Sequence, residues 1–172
     1  DLAELLDDEQ YTALLGLNWT LSNEAGAPDE RAGVLLANRY RDLHRDPAAL
    51  EALLHTIRSC QAVGYALQEA AWLWRDSSAA AEDGFEEVMR VLIRGSLEQS
   101  PPLSFQAGCA HLAAAFMEEG DPIGEAERAR ACFDLCDEGD YPEVAWLKKR
   151  AATLASSREF GAEDLRPSDT FY

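Results

Sequence analysis

Glu118-Glu119-Gly120-Asp121-Pro122 and Asp137-Glu138-Gly139-Asp140-Tyr141-Pro142 carry the same order of residues at an offset of 19. Each reads acid, acid, glycine, aspartate, then proline. These are the parts of a tight joint between two helices. Glycine accepts the left-handed backbone that ends one helix, and aspartate accepts hydrogen bonds from the first free N–H groups of the next. Proline suits the first turn, where a missing N–H costs nothing. Pro28 and Pro47 are also 19 apart, and Pro102, Pro122 and Pro142 follow at intervals of 20. Units of that length, each one helix plus a short turn, imply antiparallel neighbours.

Outward from these joints, apolar residues recur every three or four positions and strand-like alternation is almost absent. Leu2, Leu5, Leu6, Tyr11, Leu14, Leu15 and Trp19 mark a first helix, ended near Gly26. Pro28 is expected in the first turn of a second, with Ala32, Leu35, Leu36, Tyr40 and Leu43 on one face. Asp46-Pro47 reads as a cap and first turn. Leu50, Leu53, Ile57, Cys60, Gly64, Leu67, Ala71 and Trp74 then form a stripe that fits one helix of about 28 residues, roughly 42 Å, or two helices that break near Gly64. Further helices follow at 85–92, 105–116, 122–136 and 144–154. Asp140 with Glu143 forms an aspartate version of a capping box. The expected fold is all-α, with six to seven antiparallel helices in a bundle or a short superhelix. Residues 1–157 form the single helical domain, and 158–172 are a C-terminal tail, either docked through Phe160, Phe171 and Tyr172 or mobile.

Leu112, Ala113, Phe116, Gly120, Ala126, Ala129 and Phe133 carry a resemblance. Over residues 105–150 the chain resembles tetratricopeptide and Sel1-type helical repeats, which use small residues for close helix contact and aromatics around the turn. The resemblance implies a TPR-like superhelix that binds proteins. No tryptophan or Tyr-Gly signature opens the repeat, and no second clean copy appears in residues 1–100.

Thirty-two Asp and Glu face 15 Lys and Arg, for a net charge of −17. Nucleic acid and anionic membrane are polyanions and would be repelled as direct ligands; a basic protein would be attracted. The charge is unevenly spread. Residues 1–30 hold eight acids and no Lys or Arg, whereas 31–76 hold six Arg against five acids. The acidic first helix is therefore expected to lie beside the arginines of the second, or to face a basic partner. Cys60, Cys109, Cys132 and Cys136 fall in apolar helical patterns and read as reduced core thiols of a cytoplasmic protein. No apolar run is long enough to span a membrane. No secretory leader is visible, and the start at Asp1 leaves a removed one open.

Candidate chemistry is thin. Glu82, Asp83, Glu86 and Glu87 cluster on one helix, and carboxylate pairs at that spacing can hold Mg²⁺ in all-helical hydrolases. Acids in a first turn also simply favour the helix dipole. Cys132 and Cys136, with Cys109 and His111 nearby, have the wrong spacing for a zinc knuckle. His55 is expected in the core and His44 at the surface. No catalytic, metal or cofactor residue is assigned.

Trp72 and Trp74 are two apart and cannot share a helix face. Trp74 continues the core stripe, which leaves Trp72 for the surface or a second interface. With Arg39, Arg41 and Arg45 it makes up the expected partner-binding set. The expected function is a non-enzymatic protein–protein interaction domain: an adaptor, chaperone-like or inhibitor/immunity-type protein using a helix groove or its acidic face. The expected partner is a protein of basic character, and a homodimer stays open. The alternatives are a metal-dependent all-helical hydrolase built on the 82–87 acids, and a small-molecule-binding domain with a cavity lined by Phe105, Cys109, Phe116 and Phe133.

Overall fold

Local side-chain caps open the helices that start at Asp8 and Glu30 and are absent from those that start at Asp46, Phe85 and Pro122. The computed structural model describes residues 6–60, 64–77, 84–98 and 104–156. Within them lie eight helices and no strand. Helix α1 spans Asp8–Glu24 and opens with a capping box: Asp7 accepts from the Gln10 N–H at 2.8 Å and Gln10 Oε1 accepts from the Asp7 N–H at 3.2 Å. Helix α2 spans Glu30–Asp42, and Asp29 accepts from the Arg31 N–H at 3.0 Å. Pro28 therefore lies before the cap, not in the first turn. Helix α3 spans Asp46–Ser59 with Pro47 in its first turn; Asp46 is already helical, so it is not the cap acceptor.

The long stripe from Leu50 to Trp74 is two helices. Cys60 turns extended at the end of α3, and α4 runs over Tyr65–Ser77. The three-to-four period carried across the break because both helices bury a face in the same core. This break makes the count eight, where the sequence pointed to six or seven. Helix α5 spans Phe85–Leu97, α6 Ser104–Phe116, α7 Pro122–Asp134 and α8 Val144–Ser156. The expected tail at 158–172, and Glu82 and Asp83, lie outside the described residues.

The two repeated joints differ. Gly120 takes the left-handed backbone at φ 71°, and Asp121 stands at the cap position before Pro122. Arg75 and Arg90 hold the joint's acids, Glu118 at 3.0 Å and Glu119 at 2.8 Å. At the second joint the Gly139 N–H donates to Asp137 Oδ1 at 2.8 Å, and the Tyr141 N–H to the Asp137 carbonyl at 3.1 Å. Asp137, three residues before the expected Asp140, organises that turn. Glu143 is buried and pairs with Arg31 at 3.0 Å, so it ties α8 to α2.

Each helix packs on the next, and the even-numbered helices also touch in turn, α2 on α4, α4 on α6, α6 on α8. Small residues allow this row to close up. Ala66, Ala70 and Ala71 on α4 and Ala110, Ala113 and Ala114 on α6 all belong to a single buried core. At Gly108 a methyl group would stand 2.6 Å from the Phe133 ring, so α6 and α7 meet with no room for a side chain there. Among the described residues no helix is long and apolar enough to cross a membrane.

Candidate interaction surface

The residues singled out in the sequence divide between the interior and one end of the molecule. Trp72 is only 2% exposed, which corrects its expected surface position. Two guanidinium groups lie over its ring, Arg41 at 4.5 Å and Arg150 at 4.8 Å from the ring centre. Arg150 is fully buried and also lies over Trp146 and Phe116, at 4.3 and 5.2 Å. Its Nη1 donates to Glu69 Oε1 at 2.7 Å and to Gln68 Oε1. The second Glu69 oxygen accepts from Arg41 Nη1 at 3.4 Å. Nε and Nη2 of Arg150 have no hydrogen-bond partner among the described residues. A cation held this way depends on its one carboxylate and on the aromatic faces. Residues of α2, α4, α6 and α8 supply the whole group, so it locks the even-numbered row. Trp74 also has a use: it stacks on Phe85 at 6.2 Å.

A half-buried carboxylate closes the break between α3 and α4. Glu30 Oε1, on α2, accepts from the N–H groups of Gly64 and Ala66, each at 2.9 Å. It thereby caps α4 from another helix. Burial pushes its proton affinity up; those N–H groups oppose the rise and the nearby Glu143 adds to it. The folded state thus holds this proton more tightly than the unfolded chain. The ionised form costs stability, and the cost grows as pH rises from the ordinary carboxylate range through the folded value. Glu30→Gln keeps the acceptor and removes the charge. It is expected to be more stable than the parent near pH 7, with the gain vanishing near about pH 4. Denaturation midpoints at both pH values check this; a gain that does not change with pH would contradict it.

The thiols are unsuited to nucleophilic work. Burial raises all four, Cys60 to about 11 and Cys109 well above its ordinary value. His111 Nδ1 pairs with Glu125 Oε2 at 2.6 Å. His55 is exposed rather than in the core, its ring set edge-on to Trp19 at 5.7 Å. His44 is exposed, at φ 55°. Glu86 and Glu87 are exposed in the first turn of α5, and Glu86 pairs with Arg90 one turn later at 3.4 Å. No group of three or more potential metal ligands occurs among the described residues. Phe105, Cys109, Phe116 and Phe133 are packed in the core, with Phe105 stacked on Tyr141 at 4.3 Å.

The outer side of α1 is different. Leu14, Leu17 and Leu21 follow at three and four residues and are 41, 55 and 53% exposed. On the opposite side of the same helix Trp19 is buried against the core. An open groove of about 600 Å³ runs between α1, α2 and α3; none of the three leucines lines it, but Thr20 and Glu24, three residues on from Leu17 and Leu21, do. Trp19, Leu36 and Tyr40 line it, with Glu24, Glu51 and Arg45 among its polar groups. Arg45 lies over Tyr40 at 5.1 Å. Neither protein-family models, nor curated proteins, nor solved structures match this chain.

The expected partner-binding arginines separate here. Arg39 pairs with Asp8 and lies 5.4 Å from the Tyr11 ring, which joins the acidic α1 to α2. Arg41 belongs to the buried centre. Arg45 alone of the set reaches the groove. Leu17 and Leu21 were missed as surface residues. Their signal was readable: apolar residues at 14, 15, 17, 19 and 21 cannot all share one face of a helix.

Proposed function

We propose that this chain is a non-enzymatic protein-interaction domain, of adaptor, chaperone-like or inhibitor/immunity type, that docks a basic protein partner through α1. The observation that carries the reading is the exposed leucine row at 14, 17 and 21. A contiguous two-turn apolar row on a helix surface is the kind of patch that marks a site for a partner. The row of touching even-numbered helices, with odd-numbered helices between them, suits a short TPR-like superhelix, which would present α1 as a terminal helix.

Leu17→Glu with Leu21→Glu tests this. Both positions are more than half exposed, so folding stability is expected to move by no more than about 0.5 kcal/mol per site. Partner binding should fall more than about tenfold. Val91→Glu, at an equally exposed site on α5, should leave binding unchanged and serves as the control. Equal binding by the double variant and the control, measured by quantitative co-precipitation, would contradict the reading. So would turnover of a small molecule by the isolated domain.

A further inference from the structure

We infer that the leucine row and the groove beside it form one surface for an amphipathic helix of a partner protein, and that the groove takes a lysine or arginine side chain from that helix. The inference rests on the interaction-domain reading above and adds the partner's chemistry.

The row sets the form of the partner. Leu14, Leu17 and Leu21 span two turns, about 10 Å along the axis, and their spacing matches the apolar ridge of a second helix. Charge excludes a second copy of this chain. Pairing α1 with α1 would bring Asp7, Glu9 and Glu24 of one molecule close to those of the other; residues 1–30 contain no Lys or Arg, and Arg39 of α2 offsets Asp8 alone of these first-helix acids. A helix flanked by basic residues meets the same acids with attraction.

The groove sets the side chain. Trp19 is buried and the Tyr40 ring carries Arg45, so the groove's hold on an incoming side chain comes from its carboxylates, with the aromatics as apolar wall. Glu24 and Glu51 line it, and neither is in an ion pair among the described residues. Arg45 is the one guanidinium facing these two carboxylates, and His55 and Tyr40 are the other titratable side chains of the groove. Arg45 is drawn over Tyr40.

Three labelled synthetic helices test this by fluorescence anisotropy. All carry leucines at three-and-four spacing; their flanking residues are lysine, glutamine or glutamate. The lysine helix is expected to bind most tightly, and to weaken as salt rises. Glu24→Lys with Glu51→Lys should weaken it more than about tenfold and leave the glutamine helix unchanged. Equal binding of the lysine and glutamine helices, with both lost in the Leu17→Glu, Leu21→Glu variant, would overturn the charge inference and leave the interaction reading standing. A parent protein that sediments as a dimer, with the same leucine variant monomeric, would also overturn it, because a second copy would then own the face. Binding of no helix would overturn it as well, and the co-precipitation comparison would then decide the interaction reading separately.

Discussion

Replacing Glu69 with leucine is expected to destabilise the fold by about 3–5 kcal/mol, the usual cost of removing one partner from a buried ion pair. Glu69 is 1% exposed and is the carboxylate that faces Arg150 inside the core. The guanidinium already lacks partners for Nε and Nη2 among the described residues. Without Glu69 its remaining hydrogen bond is to the neutral Gln68, and Arg41 loses its carboxylate too. The double change Glu69→Leu with Arg150→Met should recover much of the loss, since apolar side chains of similar volume commonly replace a buried pair at little cost. Urea midpoints of parent, single and double variants measure this. A double variant at least as unstable as the sum of the singles would show that the pair's charges are not what holds the row together.

Trp72→Ala is expected to cost about 3–5 kcal/mol, as large-to-alanine changes in packed cores do. The ring is 2% exposed within the core and has Arg41 and Arg150 over it. Its loss would leave a cavity beside two cations that need its face. Trp72→Phe should retain much of the stability, because a smaller aromatic face remains. If instead Trp72→Ala left the denaturation midpoint unchanged and lowered only partner binding, Trp72 would be a surface residue and the buried arrangement would be wrong.

What the sequence makes legible depends on distance along the chain. The joint at 118–122 was readable in part because its chemistry is local: Gly120 is left-handed and Pro122 starts α7, but Glu118, left-handed at φ 55°, ends α6, and the Asp121 side chain makes no cap hydrogen bond. The copy at 137–142 shares the letters but is organised by Asp137, since hydrogen bonding within the turn depends on one extra residue, Tyr141. The break at Cys60–Gly64 was one of two readings, as a continuous apolar period cannot say whether two helices share a core. Glu30 settles it by capping α4 from α2, a contact spanning 34 residues. The burial of Trp72 was out of reach. It depends on Arg150, which meets Glu69 at a separation of 81 residues. A helix with two apolar faces can have both buried, and only the packing of α8 decides this. The same ambiguity ran the other way in α1, where the second apolar face is exposed.

The central claim is that α1 carries the binding surface. The most direct measurement is a chemical-shift titration of the labelled protein with the lysine-flanked leucine helix. The account predicts shifts confined to Leu14, Leu17 and Leu21, the Trp19 indole and the His55 ring, all abolished by Leu17→Glu with Leu21→Glu. Shifts centred on other helices, or shifts at α1 that survive the leucine changes, would contradict it.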